Sequence, residues 1–115
     1  MKRVMLVAFD GDEMCFVHVL LNAIDMAGKS FDTGIILEGA STRLIPELES
    51  KGHFLNGFWK KARQMGLVEG VCKACSNKMG ALKAAEEAGL TLLGDMSGHP
   101  ALSSYVDRGF QIITF

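Results

Sequence analysis

The sequence has few of the features that mark disordered or membrane-spanning chains. It contains only two prolines among 115 residues, and charged residues make up 22% of it against 49% hydrophobic residues. Disordered chains have the opposite balance, with low hydrophobicity and high net charge. The longest uninterrupted apolar runs, such as residues 4–9, are far shorter than the ~20 residues that a membrane-spanning helix needs. The composition therefore predicts one packed domain over residues 1–115, with no membrane partner.

An excess of charge of one sign is also missing, as are phosphate-binding glycine motifs. Twelve basic and thirteen acidic residues give a formal net charge of −1, which generates no field that attracts nucleic acid. No G-x-G-x-x-G pattern occurs, and residues 40–42 lack the glycine spacing and the lysine of a phosphate loop. We therefore predict no nucleic-acid partner, and nothing in the sequence indicates a bound cofactor.

Cysteine is scarce as well. Three cysteines are an odd number and too few for a disulfide scaffold, so we expect thiols that are reduced, reactive or metal-bound.

Lys2 and Arg3 precede the first apolar run, but the acidic segment 10–13 follows it at once, without a small-residue cleavage site. This pattern is not that of a secretory signal, and we expect a cytoplasmic location.

Apolar segments alternate between the patterns of buried strands and of amphipathic helices. The first strand segments are continuously apolar, which is typical of strands buried on both faces of a parallel sheet. The predicted strands are residues 4–9, 34–37, 68–72, 90–93 and 110–115. Three predicted helices are residues 13–27, 54–65 and 100–108. A further helix is predicted to start at Ser41 or Thr42 and to end at Gly52, and another follows residue 72, is broken near residue 80 and ends at residue 88. This order predicts a three-layer α/β/α fold with a five-stranded, largely parallel sheet.

Several polar residues near these elements have structural interpretations. Asp10, Asp12 and Glu13 lie between the first strand and the first helix, where turn and capping roles explain them better than an acid–base site. His18 falls on the polar side of that helix, which predicts a solvent-exposed histidine. His53 lies between two predicted helices, where we expect a loop role.

Cys72 and Cys75 form the one constellation that points to chemistry. They make a C-x-x-C pair where a predicted strand meets a helix, and in open parallel sheets binding sites gather at that edge. The unpaired backbone N–H groups of a first helical turn favour thiolate over thiol, and Lys73 and Lys78 lie close in sequence. His99 occupies a loop on the same predicted edge. We therefore predict nucleophilic thiols at Cys72 and Cys75, with Lys73, Lys78 and His99 as auxiliary residues.

The segment around these cysteines resembles a known family. The run GVCKACSNKMG at residues 70–80 is similar to the cysteine segment of the DsrE/DsrF-like family of small sulfur-relay proteins. The closing helix and the strand QIITF at residues 111–115 are also similar to the end of that family's domain. The glycine that follows the family's active cysteine by eight residues matches Gly80, so the active position falls first on Cys72. Cys75 matches the second cysteine of the C-x-x-C branch.

This resemblance implies both an architecture and an activity. The architecture is a parallel five-stranded α/β/α domain that assembles into a homo-oligomer, a trimer or a hexamer. The activity is that of a sulfurtransferase or sulfur carrier, which holds sulfane sulfur as a cysteine persulfide between a donor protein and an acceptor protein. The expected function is therefore sulfur carriage or a related thiol redox task.

Two other functions remain open for the same cysteines. Dithiol–disulfide exchange also uses a C-x-x-C pair at a helix start. A non-catalytic oligomeric binding module would use structural or metal-binding cysteines, and Cys15, Cys72, Cys75 and His99 together could supply four zinc ligands. Their spacings match no compact zinc module, however, and Cys15 is expected in the core on the helix face that leads to Val19. We therefore predict no metal.

Large aromatic residues cluster in the predicted helix at residues 54–65. Phe54, Phe58 and Trp59 fall on one side of it, and such a stripe is typical of a helix that covers a core. Three large aromatic residues exceed what one helix of a small domain usually buries, so part of the stripe is expected to form a subunit interface.

Overall fold

A sheet of five parallel strands forms the centre of the computed structural model, which describes residues 1–115. The strands are β1 (Arg3–Ala8), β2 (Asp32–Leu37), β3 (Val68–Cys72), β4 (Leu92–Leu93) and β5 (Gln111–Thr114). Their order across the sheet is β4-β3-β2-β1-β5, with β1 between β2 and β5. All the strands run the same way, so their carboxyl ends meet at one edge.

Helical segments connect these strands. They are α1 (Glu13–Gly28), a 3₁₀ helix (Gly39–Leu44), α2 (Ile45–Leu48), α3 (Asn56–Gln64), α4 (Lys73–Lys78), α5 (Leu82–Glu87) and α6 (Leu102–Asp107). The longest, α1, has 16 residues, and no helix has the length and apolar character needed to cross a membrane. Asp12 caps α1 by accepting a hydrogen bond from the backbone N–H of Met14, so its predicted capping role is confirmed.

The apolar residues of β1 and β2 divide between the two faces of the sheet, because successive side chains of a strand point in opposite directions. Val4, Leu6 and Ala8 pack in a cluster of 20 buried residues that includes side chains of α1, α3 and α5. Met5 and Val7 pack on the opposite face in a smaller cluster with Tyr105 of α6. Helices therefore cover both faces, and the predicted three-layer α/β/α fold with a five-stranded sheet is confirmed.

One predicted helix differs in kind from the structure. The helix expected after Ser41 or Thr42 is a 3₁₀ helix followed by the single turn of α2. The Ser41 hydroxyl caps nothing; it is buried and donates to the backbone carbonyls of Ala8 and Glu38. Polar side chains that can bond to nearby carbonyls compete with regular helix in this way.

The predicted aromatic stripe is divided by the structure. Helix α3 starts at Asn56, so Phe54 precedes it and stacks on the ring of His53. Trp59 is buried at 1% exposure, whereas Phe54 and Phe58 are 55% and 40% exposed. Only Trp59 of the three aromatic residues therefore covers the core.

Gly70 of β3 determines how closely β4 can approach. A Cβ atom at this position would lie 2.7 Å from the carbonyl oxygen of Thr91 and 2.8 Å from Cγ of Leu93. Only glycine fits without displacement of β4. Because β4 leads into the loop that carries His99, this close approach also positions part of the site described next.

Candidate functional site

The two cysteines lie where β3 becomes α4. Cys72 is the last residue of the strand and also the N-cap of the helix, where its Sγ accepts a weak hydrogen bond from the backbone N–H of Cys75 at 3.4 Å. Cys75 follows in the first turn of α4. The structure thus places both sulfurs at the carboxyl edge of the sheet, as predicted.

His99 reaches both sulfurs from the loop after β4. The loop is closed by backbone hydrogen bonds between Met96 and His99, and the Gly98 carbonyl accepts a hydrogen bond from the backbone N–H of Ala74 at 2.8 Å. These contacts bring the imidazole Nδ1 to 3.1 Å from Sγ of Cys72 and 3.6 Å from Sγ of Cys75. One ring nitrogen therefore lies within reach of two thiols, and the auxiliary role of His99 stays a prediction.

Glu38 completes the cluster and is absent from the residues that the sequence singled out. It directly follows β2, the strand next to β3, and its side chain is only 10% exposed. Its Oε1 lies 4.0 Å from Nδ1 of His99. One ligand-type atom from each of Glu38, Cys72, Cys75 and His99 lies within 4.8 Å of the others. A polar residue placed directly after a buried strand is the signal that could have found Glu38.

The two sulfurs differ in their access to solvent. Cys72 is fully buried, Cys75 is half-buried, and the His99 side chain is 42% exposed. Burial raises the pKa of Cys72 to about 12, with a smaller opposing effect from the backbone N–H of Cys75. Burial also raises the pKa of Glu38 above its ordinary value, against the attraction of His99. The expectation of an accessible, acidified thiol is therefore wrong for Cys72, because loss of hydration outweighs the helix start.

The chain has relatives among archaeal proteins. The uncharacterized protein MJ0733 of Methanocaldococcus jannaschii is 33% identical over 97 residues, which are 84% of this chain and 77% of that protein. The chain belongs to the MJ0733 family. An uncharacterized protein of Archaeoglobus fulgidus is 38% identical over 37 residues, which are 32% of this chain and all of that protein. No protein-family model matches the sequence.

A solved structure shares the fold of this MJ0733-family chain. The conserved protein of unknown function BT1422 from Bacteroides thetaiotaomicron superposes with a TM-score of 0.70 at 18% sequence identity. The superposition covers 96% of this chain and 93% of that protein. At this identity the likeness extends to the fold alone.

Two predicted auxiliary residues lie outside the site of this MJ0733-family protein. Lys73 and Lys78 are exposed, and their side chains form no hydrogen bond or ion pair. Neither is among the groups that shift the pKa of Cys72.

Cys15 is also placed differently from the prediction. It is exposed on α1, whereas the buried stripe of that helix is Phe16, Val19, Leu20 and Ala23. The spacing of this stripe leaves Cys15 just outside the core-facing arc. The expectation of a core cysteine is therefore wrong, and Cys15 does not join the other two cysteines.

The remaining histidines take the roles that were predicted. His18 is exposed on α1, and His53 lies in the connection between α2 and α3. The Nε2 of His53 lies 3.3 Å from a carboxylate oxygen of Glu13 and 3.6 Å from one of Glu47. The His53 ring thereby links this connection to the start of α1 and to α2.

Neither cysteine lies in a cavity. One concave surface includes Lys73 and Ala74 of α4 and Gly94 and Gly98 of the following loop, but neither sulfur is part of its lining. Small-molecule sites are usually concave and enclose their ligand. The arrangement instead presents a thiol and an imidazole near the surface.

Proposed function

We propose that the chain carries sulfane sulfur on Cys75 as a cysteine persulfide. The observation that carries the proposal is the pairing of a half-buried sulfur with an imidazole nitrogen at 3.6 Å, beside a second sulfur that is fully buried. A carrier needs an accessible thiol and a surface on which donor and acceptor proteins can dock, rather than a deep cavity.

Exposure makes Cys75 the receiving sulfur. A persulfide on a partner protein must approach the attacking sulfur directly, and Cys72 has no exposed surface. Cys75 lies on the first turn of α4, one residue beyond Ala74, and keeps partial access. The active position implied by the resemblance, which falls first on Cys72, thus moves to Cys75 in this proposal.

The transfer needs no external oxidant or reductant. The Cys75 thiolate attacks the outer sulfur of a donor persulfide, R–S–SH; a new S–S bond forms at Cys75, the donor's S–S bond breaks, and the donor leaves as a thiolate. An acceptor thiolate then attacks the outer sulfur of the Cys75 persulfide and takes it, which returns Cys75 to its starting state.

His99 moves the proton in this scheme. Its unprotonated Nδ1 accepts the Cys75 proton as the donor approaches, and the imidazolium returns that proton to the departing donor thiolate. Because 42% of the side chain is exposed, the ring also exchanges protons with water. The similarity of residues 70–80 to the DsrE/DsrF-like cysteine segment supports sulfur carriage by this cysteine pair, although it places the active position first on Cys72.

Mass spectrometry of the intact chain tests the proposal. The exposed Cys15 would also take up sulfur, so all variants carry Cys15→Ser, and a chelator is present throughout. After exposure to a low-molecular-weight persulfide, the parent should gain one sulfur atom. Cys75→Ser should lose this gain, whereas Cys72→Ser should keep it. If the Cys75→Ser variant still gains one sulfur atom and the Cys72→Ser variant does not, the carrier role belongs to the buried sulfur and the proposal is overturned.

We also infer that the chain assembles with copies of itself, as the resemblance implies, through the exposed aromatic surface of Phe54 and Phe58. Two phenylalanines four residues apart that are 55% and 40% exposed are better covered than left in water. Light scattering coupled to size exclusion should give a trimer or hexamer, and Phe58→Ser should lower the mass. A monomeric parent at micromolar concentration would contradict this inference.

A further inference from the structure

We infer that Glu38, Cys72, Cys75 and His99 form a binding site for a divalent metal ion of the zinc class. Each residue contributes one ligand-type atom, and these four atoms lie within 4.8 Å of one another. Three of the four residues belong to segments at the carboxyl edge of the sheet, and Cys75 is in the first turn of α4. The inference rests on this geometry and on the chemistry of the four groups, and it goes beyond sulfur carriage.

The separations of the other three ligand atoms from Nδ1 of His99 are near those of a tetrahedral site. Zinc bonds of about 2.0–2.3 Å place neighbouring ligand atoms roughly 3.3–3.8 Å apart. Nδ1 of His99 lies 3.1 Å from one sulfur, 3.6 Å from the other and 4.0 Å from Oε1 of Glu38. The other separations are at most 4.8 Å, so adjustments of up to about 1 Å would bring the four atoms around an ion.

The chemistry of the four groups selects the metal. Thiolate sulfur and imidazole nitrogen favour zinc and similar borderline ions, whereas magnesium and calcium prefer sites made only of oxygen. Two sulfurs, one nitrogen and one carboxylate oxygen give four ligands of the types that zinc binds. The backbone contacts of the His99 loop hold this residue beside the sulfurs.

Glu38 brings a largely buried carboxylate to the cluster. Only 7% of the residue is exposed, no donor forms a hydrogen bond with its carboxylate, and its Oε1 lies 4.0 Å from Nδ1 of His99. Buried carboxylates in proteins are paired with cations, hydrogen-bonded or bound to metals. Neither Lys73 nor Lys78 forms an ion pair with it. An ion between Glu38 and the sulfurs would satisfy the carboxylate.

A bound ion would occupy the lone pairs that Cys75 needs for attack. Metal and incoming sulfur would therefore compete for one site, and the metal-loaded chain should not gain sulfur. The two proposals separate in the laboratory, because zinc binding is measured without any sulfur donor and sulfur loading is measured with a chelator present.

Zinc stoichiometry and affinity of the reduced full chain test the site. The Cys15→Ser chain, which keeps all four ligands, should retain one equivalent of zinc after gel filtration, as measured by elemental analysis. In a competition with a chromogenic chelator, Cys72→Ser, Cys75→Ser and His99→Ala should each lose at least the ~10–100-fold in affinity that outer-shell changes cause. Cobalt added in place of zinc should give a thiolate-to-metal charge-transfer band that weakens in each cysteine variant.

Glu38→Gln keeps the inference testable if a cysteine variant fails to fold. Glutamine preserves the size of the side chain and removes its charge, so the variant should fold and bind zinc at least about tenfold more weakly. A reduced parent chain that retains no stoichiometric zinc would overturn the inference. Unchanged affinity in Glu38→Gln or in either folded cysteine variant would overturn the four-ligand site as well.

Discussion

Nδ1 of His99 lies 3.1 Å from Sγ of Cys72, although the two residues are 27 positions apart in the chain. The contact exists because β3 and β4 are neighbours in the parallel sheet, so the segments that follow them meet at one edge. The same ring nitrogen lies 3.6 Å from Sγ of Cys75. Substitutions at His99 therefore affect both sulfurs at once.

Removal of the imidazole should slow sulfur loading without preventing it. In the Cys15→Ser background with chelator present, we expect His99→Ala to lower the loading rate of Cys75 by roughly 10²-fold, the lower range of general acid–base catalysis. The rate is measured near neutral pH by mass spectrometry of quenched samples. His18→Ala is the matched control, because His18 is exposed on α1 and should leave the rate unchanged. Equal rates in the two variants would contradict a proton-transfer role for His99.

A methyl group at Gly70 should disturb the site through the sheet. The added Cβ would lie 2.7 Å from the Thr91 carbonyl oxygen, so β4 must move or the backbone must strain. We expect Gly70→Ala to lower the free energy of unfolding by about 1–3 kcal/mol, the usual cost of overpacking, and to slow sulfur loading.

Gly57 provides the matched control for Gly70. It lies in the first turn of α3, and nothing lies within 4 Å of a Cβ added there. Gly57→Ala should therefore raise the free energy of unfolding by up to about 1 kcal/mol, because alanine loses less backbone entropy in a helix. Urea denaturation measures both variants. Similar effects of the two substitutions would show that contact with β4 does not determine the cost at Gly70.

The strands were predictable because their burial follows directly from uninterrupted runs of apolar residues. The run at residues 4–9 is apolar at every position, and the structure buries residues 4–8 on both faces of the sheet. Helix α1 was likewise marked by its Asp12 cap and by the spacing from Phe16 to Ala23. Local patterns of this kind determine local structure, so the element order and the fold class could be derived from them.

The site was only partly predictable, because it depends on contacts between distant segments. The C-x-x-C spacing located Cys72 and Cys75 at a strand end, but the depth of each sulfur depends on how the His99 loop covers the edge. Glu38 carried no motif, and only the adjacency of β2 and β3 brings it to the cysteines. Cys15 was misplaced because a shift of one residue on a helix turns a side chain by about 100°.

Trp59 should be the most costly residue of α3 to remove. Its side chain is 1% exposed, packs against the ring of Phe16 and donates a hydrogen bond from Nε1 to Glu49. Trp59→Ala should lower the free energy of unfolding by about 3–5 kcal/mol, as large-to-small core substitutions do. Lys60→Ala, at the next and exposed position, should change it by less than about 0.5 kcal/mol. Comparable losses in both would contradict the assignment of Trp59 to the core.

Tyr105 should make stability depend on pH in the alkaline range. Burial raises its pKa from 10.0 to about 12, and its hydroxyl donates to the carboxylate of Glu69 at 2.9 Å. Between these two values the folded chain keeps a proton that the unfolded chain has lost. The folded state therefore loses stability as pH rises from 10 to 12, while the contribution of Tyr105 is fully present below pH 10.

The variant Tyr105→Phe isolates this effect. Phenylalanine does not titrate, so the difference in free energy of unfolding between the parent and the variant should be constant below pH 10 and should shift against the parent above it. The constant part reflects the lost hydrogen bond to Glu69, about 1 kcal/mol. Other alkaline groups, such as the lysines, are common to both chains and cancel in the difference. Urea denaturation at a series of pH values measures this difference in free energy of unfolding. A difference that stays constant up to pH 12 would contradict the burial of a neutral Tyr105 hydroxyl.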